Sequence, residues 1–257
     1  MCFSQQTSAA FAALGFMMTI FVWKRTRIPS LALGVGFFFL MELLQVFQYI
    51  WIDQCDSIIN KILTVVGFAH ICLQPYFTHL LSVSVVKSRR VLVQFQAVRK
   101  LCLIGGGLMF LRFLTHWQQL TPPTEACPSY EWLRGDTLCT YSGRYHLAWS
   151  VPLNDPTYFT TGIGIHSFLM FAPFFVIPRP MMWAQGLLLF FTGPVLAAII
   201  TPNLQEQASV WCFFSIAQLV FMLFAVRNYM TRQQSQAILN AHAQAEDTAT
   251  ADHQHLP

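Results

Sequence analysis

The sequence predicts an all-α fold: a polytopic membrane helix bundle of about seven transmembrane helices, amino terminus outside and carboxyl terminus cytoplasmic. Three observations carry this expectation. The 257 residues are 55% hydrophobic and only 10% charged, where a soluble domain carries about 25% charged residues. Apolar runs long enough to cross a bilayer follow one another with short polar gaps between them. Eleven of the fifteen Lys and Arg residues also share alternate gaps: Lys24, Arg25, Arg27, Lys87, Arg89, Arg90, Arg99, Lys100, Arg179, Arg227 and Arg232. Lys61, Arg134 and Arg144 occupy the other gaps, and Arg112 lies inside a run. Basic residues resist translocation, so the rich side is the inner one. The net charge of +4 needs no nucleic-acid partner, because short basic clusters beside apolar runs act as topology signals and contact anionic lipid.

The first segment, about Thr7 to Trp23, has no basic residue before it and Lys24, Arg25 and Arg27 after it. That order predicts an amino-out anchor rather than a cleaved signal peptide. Segment two runs from about Pro29 to Ile52 and ends in the outer turn Asp53-Gln54-Cys55-Asp56. Segment three covers about Ile58 to Val86, and Lys87 to Arg90 mark its inner end. Segment four is expected from near Leu101 to Leu114, followed by an outer lid over about 116–157. Segment five, about Tyr158 to Ile177, stops at Pro178-Arg179-Pro180, where prolines bar helix continuation. Segment six spans about Met181 to Ile200 and segment seven about Ala208 to Val226. Residues 1–230 thus form one membrane domain, and 231–257, rich in Ala, Gln, Thr and His, an inner disordered tail.

Cys2, Cys55, Cys127 and Cys139 fall on the outer side, while Cys72, Cys102 and Cys212 lie within helices. Four thiols admit three pairings. Cys127 with Cys139 is the simplest expectation, closing a short loop in an oxidising compartment; free thiols in a reducing one are the alternative.

Polar groups inside the runs are costly, so each needs a partner or a wet cavity. Glu42 lies about 15 Å below the outer end of its segment at helical rise. Gln45 and Tyr49 share its face at i+3 and i+7, a polar stripe rising to the surface. Glu42 is either a base, ligand or cation site, or a hydrogen-bonded group joining helices. His70 sits mid-segment with Gln74 on the same face, and Pro75 leaves the Ile71 carbonyl without its helical donor. With His166 of segment five, His70 and Glu42 make a ligand set of the types that suit zinc, iron or copper. No i,i+4 His pair supports this set, so each residue reads equally as an interhelical hydrogen bonder. Trp211, Ser215 and Gln218 form a stripe on segment seven, and Arg112 is a candidate counter-ion for Glu42. In the lid, Leu138 to Trp149 is dense in aromatic and hydrogen-bonding residues around Gly143, which predicts a packed structure with His146 at the membrane mouth. Cys2 would present a thiol at the same mouth, as nucleophile, ligand or disulfide partner.

These residues carry a resemblance. Met1-Cys2-Phe3-Ser4, Met41 to Gln45, Asp53-Gln54-Cys55, His70 to Pro75 and Leu138 to Trp149 resemble a largely uncharacterised family of multi-pass, mainly bacterial membrane proteins. Gly193-Pro194, Thr201, Asn203, Glu206 and Trp211 to Ile216 extend the match. The family opens Met-Cys-Trp-Ser, from which Phe3 departs. The resemblance implies the same topology and singles out Cys2, Glu42, Cys55, His70, Gln74, Cys139, His146, Glu206, Trp211 and Cys212. It brings no established activity.

The resulting functional expectation is an outward-facing polar site inside the membrane. As a metal-dependent enzyme on a lipid or other apolar substrate, it would use Glu42, His70, His146 and Cys2 for acid–base or nucleophilic chemistry. Gln45, Tyr49, Gln74, Trp211 and Ser215 would line the substrate. A proton- or ion-coupled transporter or channel is the alternative, as is a receptor or a non-catalytic subunit. For a homo-oligomer or a membrane-complex partner, Gly105-Gly106-Gly107 offers a close-contact face.

Overall fold

The computed structural model describes residues 4–84, 86, 88–116, 131–154, 162–177, 180–216 and 218–220. Cys2 and Cys127 lie outside the described residues, as does the whole of 231–257. Met1–Ala217 form one compact unit and Gln218–Pro257 a second; the architecture below is that of the first.

Helix α1, Gln5–Thr26, starts where the Ser4 hydroxyl accepts the Thr7 amide and stops at Arg27, which adopts a left-handed φ of 55°. Pro29 then opens α2, Pro29–Ile50, at the position where a missing amide costs nothing. Helix α3, Ile58–Val83, contains Pro75, and α4 covers Arg89–Leu114. These four pack in sequence, α1 on α2, α2 on α3 and α3 on α4. Small residues set the spacing: a Cβ at Gly34 would meet Leu81 side-chain atoms at 2.9 Å, and one at Gly106 would clash with the Cys72 carbonyl oxygen.

Helix α4 begins well before the expected Leu101. Val91, Phe95 and Cys102 are buried on one stripe, so the apolar face continues beneath the basic residues and carries the helix with it. Helix α5, Gly162–Val176, packs on α4, α3 and α6. Helix α6, Pro180–Phe190, passes through a π-helical turn, Phe191–Val195, into the short α7, Leu196–Ile200. Pro194 lies in that turn and has no amide to donate, which widens the helix locally. A closing helix, Gln207–Val220, follows the turn through Thr201 and Asn203.

The described part of the lid, 131–154, is more than a loop. Strands β1, Cys139–Ser142, and β2, Leu147–Ser150, form an antiparallel hairpin with Ser142 opposite Leu147 and Cys139 opposite Ser150. Leu147, Ala148 and Trp149 are buried. A Cβ at Gly143 would collide with the His146 carbonyl oxygen and sit 2.6 Å from the Glu206 carboxyl, so only glycine fits this bend.

The hairpin docks on the α2–α3 turn. Asn60 donates to the Thr140 and Trp51 carbonyls at 2.8 Å each and accepts the Thr140 amide at 2.9 Å. Asp53 accepts the Ser142 amide at 2.7 Å and its hydroxyl at 2.5 Å. This docking corrects the expected Cys127–Cys139 pairing. Cys139 is bonded to Cys55, because β1 lies across the turn that carries Cys55 and brings the two Cα atoms to 5.0 Å. The bridge spans 84 residues of sequence, and loop-closure entropy at that length is worth about 4–5 kcal/mol.

Among the described residues, four helices are long and apolar enough to cross a membrane: Gln5–Thr26, Pro29–Ile50, Ile58–Val83 and Met182–Ile200. Gly164–Val176 and Gln207–Val220 are shorter apolar helices. Large apolar side chains such as Phe21, Phe168 and Ile199 face outward, while Glu42, Gln45, Asn60, Gln74 and Glu206 are enclosed.

Candidate functional site

On α2, Glu42 and Gln45 are buried and Tyr49 is half-buried. Glu42 and Gln45 have no exposed surface, and neither the two carboxyl oxygens nor the two amide atoms has a hydrogen-bond partner. Helix α1 covers them. Gln5 donates to the Val46 carbonyl at 3.3 Å, and one turn further along α1 the enclosed Ser8 hydroxyl faces the Glu42 carboxyl. Ser8, Glu42 and Gln45 therefore leave five buried polar atoms without protein partners. An unsatisfied group buried in this way costs about 1–3 kcal/mol. Cys212 of the closing helix and Tyr49 both lie within the field of Glu42.

Above this cluster, the Tyr49 hydroxyl and His146 Nδ1 share a hydrogen bond of 2.7 Å. The hairpin bend that carries His146 is held by Glu206. One Glu206 oxygen accepts the Tyr145 and His146 amides at 2.5 and 2.6 Å, and the other accepts the Thr201 hydroxyl at 2.6 Å. Three donors satisfy this enclosed carboxylate, in contrast to Glu42. His146 is fully enclosed, and burial pushes its imidazole down to about 3. Trp149 donates from its indole to Gln48 at 3.1 Å, and Gln48 donates to the Leu63 carbonyl at 3.0 Å, tying the hairpin to α2 and α3.

The expected metal ligands are not gathered. His70 Nε2 bonds the Phe37 carbonyl at 2.8 Å, and its ring stacks on Phe37 at 3.7 Å. Phe37 stands five residues before Glu42, about 7.5 Å of helical rise deeper, so His70 is not at the Glu42 level. His166 bonds Gln74 at 3.1 Å and packs between Trp132 and Trp211. The Ile71 carbonyl freed by Pro75 faces that His166 ring. Among the described residues, no group of three His, Cys, Asp or Glu side chains is arranged to hold a metal ion.

Other expected residues also divide. Trp211 packs on the π-turn at Gly193 and stacks on Phe171, and the Ser215 hydroxyl turns back to the Cys212 carbonyl at 2.5 Å. Arg112 is buried but is not the counter-ion of Glu42: it forms a bidentate pair with Glu131 and donates to the Asn154 carbonyl at 2.5 Å. Ser8 escaped the sequence reading because a single serine in an Ala-rich stretch gives no signal. Asn60 and Thr64 escaped because their partner, Thr140, is 76 or more residues away.

A mostly helical chain with membrane-length helices, a polar interior and a disulfide-tied hairpin cap is thus the class defined by fold and site. The chain belongs to a family of unknown function (DUF5765), whose model matches residues 6–234. No curated protein and no solved structure matches it.

Proposed function

We propose that the chain is an integral, multi-pass membrane protein of seven spanning helices, amino terminus outside, whose working part is a proton- or ion-binding site in the outer half of the membrane. The observation that carries this reading is Glu42, an enclosed carboxyl without a partner on a helix of membrane-spanning length. An uncompensated carboxylate in hydrocarbon costs several kcal/mol, so the group holds either a proton or a cation. Exchange of that charge with the outer medium runs along the α2 stripe, past Gln45 to the Tyr49–His146 pair under the hairpin. This is the chemistry of an ion- or proton-coupled transporter or channel.

The dispersed positions of Glu42, His70 and His166 give a shared zinc, iron or copper centre no support. Metal-free acid–base catalysis on a lipid or apolar substrate is the second reading, favoured by the Tyr49–His146 hydrogen bond at 2.7 Å beside the Glu42 cluster.

The test is modification by dicyclohexylcarbodiimide, an apolar reagent that attacks protonated carboxyls within membranes. Mass spectrometry of the full-length protein in lipid nanodiscs is expected to find the adduct on Glu42, faster at low pH than at high pH, and to find none in Glu42→Gln. Tyr49 and Cys212 lie within the field of Glu42, and His146 and Glu206 act on Tyr49, so the Glu42→Gln control is what assigns the pH response. A Glu42 that stays unmodified at every pH, while exposed carboxyls react with a water-soluble carbodiimide, overturns the reading.

A further inference from the structure

We infer that Ser8, Glu42 and Gln45 form a binding site for a hard monovalent cation of the sodium class. The inference rests on the proposed role of Glu42 and names its ligand.

The ligand set is all oxygen: the Ser8 hydroxyl, two Glu42 carboxyl oxygens and the Gln45 amide oxygen. All are enclosed, and none is hydrogen-bonded to protein. Oxygen donors of this kind select hard cations over the softer transition metals, which take imidazole and thiolate. The Gln45 amide nitrogen, equally unpartnered, is a donor and takes no part in coordination.

Charge fixes the valence. One carboxylate cancels one positive charge, whereas a divalent ion would leave a net charge in low dielectric. The Cys212 thiol lies within the Glu42 field, but ligation through sulfur needs a thiolate, which would add a second negative charge.

A proton alone accounts less well for the arrangement. A neutral carboxyl offers one O–H, and it would close the cluster by donating to Ser8 or Gln45 while accepting from the other. Ser8 faces the carboxyl from α1 and Gln45 stands one turn above it on α2, and none of their side-chain oxygens is held by a hydrogen bond of ordinary length and angle. Four oxygens from two packed helices are left open in this way. The Ser8 ligand comes from α1 and the other two from α2, so a bound cation also bridges the helices at the level fixed by the Gln5–Val46 contact.

The experiment uses the full chain in nanodiscs at constant ionic strength, with NaCl exchanged against choline chloride. Saturating sodium is expected to slow carbodiimide modification of Glu42 about tenfold, as free sites become scarce, and to raise the thermal midpoint. Ser8→Ala and Gln45→Leu keep Glu42 and are expected to be modified in either salt, with most of the sodium protection gone. In Glu42→Gln the midpoint is expected to be the same in both salts. If modification is pH-dependent but equal in sodium, potassium, lithium and choline, the cation site is wrong and the proton reading stands. Protection by calcium or magnesium in place of sodium overturns the monovalent assignment. If Glu42 is unmodified throughout and the midpoint ignores sodium, both readings fail.

Discussion

His146 shows how a single side chain can set a pH limit on the molecule. Its imidazole is enclosed under the hairpin bend, with the Tyr49 hydroxyl at Nδ1 and its own amide donating to Glu206, and burial pushes it down to about 3. In the unfolded chain the same group titrates near 6.5. Between those values the unfolded state binds a proton that the folded state refuses, so stability is full above about pH 6.5 and falls as pH drops towards 3. The whole effect is about 5 kcal/mol. Thermal midpoints of the purified protein should therefore fall more steeply between pH 7 and pH 4 in the wild type than in His146→Gln. Parallel profiles would show that His146 is not excluded from protonation. The contrast with Glu42 explains what the sequence could reveal at this scale. A polar residue inside an apolar run announces itself, so Glu42, Gln45 and Tyr49 stand out in the sequence, and His146 stands out in an aromatic-rich lid segment. Whether a partner satisfies it depends on residues far away in sequence, and those were not. Glu206 finds three donors, Arg112 finds Glu131, His166 finds Gln74, and Glu42 finds none.

Among the elements, α4 departs most from its sequence expectation and carries the clearest test of packing. Its glycine triplet was a candidate face for a partner subunit, but the fold uses most of it internally. A Cβ at Gly105 would overlap the Leu169 side chain of α5, and one at Gly106 would strike the Cys72 carbonyl oxygen of α3, which is backbone and cannot move aside cheaply. A Cβ at Gly107 meets nothing within 4 Å. Gly106→Ala is therefore expected to destabilise the protein by about 1–3 kcal/mol through overpacking. Gly107→Ala, relieved of glycine's poor helix propensity, should be neutral or stabilising by up to about 1 kcal/mol. Denaturation midpoints in mixed micelles measure both, and equal effects at the two positions would refute the α3–α4 contact. The helices themselves were legible because their apolar length is a local property, and the starts of α1, α2 and α3 fall within two residues of expectation. The start of α4 was not, since the buried stripe of Val91 and Phe95 is masked in any averaged hydropathy by Arg89, Arg90, Arg99 and Lys100. The hairpin was expected only as a packed lid. Its two four-residue strands are specified by Gly143 and by docking onto Asp53 and Asn60, contacts that no local pattern encodes.

For the whole molecule, the inverted polarity, with carboxyls and amides inside and large aliphatic and aromatic groups outside, suits lipid as the surrounding medium. The placement of positive charge then makes the orientation testable at its weakest point. Helix α4 is not among the four helices that are long and apolar enough to cross a membrane, and five basic residues ride on it. Four of these, Arg89, Arg90, Arg99 and Lys100, lie in its first half, where they can reach anionic headgroups on the inner side. The fifth, Arg112, is neutralised by Glu131. The proposed topology makes α4 a spanning helix through the apolar stretch between them, with Gly105 and Gly106 packed inward, Leu103, Ile104 and Leu108 outward, and its inner end projecting from the bilayer. If so, Ser88 and Arg144 lie on opposite sides, with Arg144 outside beside the Cys55–Cys139 bridge. The check is to place one cysteine at a time, Ser88→Cys or Arg144→Cys, in a chain whose Cys2 and Cys127 are replaced by serine. The three remaining free thiols, Cys72, Cys102 and Cys212, are buried. A membrane-impermeant maleimide added to intact cells is expected to label Arg144→Cys, and to label Ser88→Cys only after permeabilisation. Labelling of both from outside would mean that α4 does not cross, and labelling of Ser88→Cys alone would invert the bundle. The inverted result would put the Tyr49–His146 end of the polar stripe out of reach of the outer medium, and the proposed route to Glu42 with it, whereas labelling of both would keep that end outside and take α4 out of the spanning bundle.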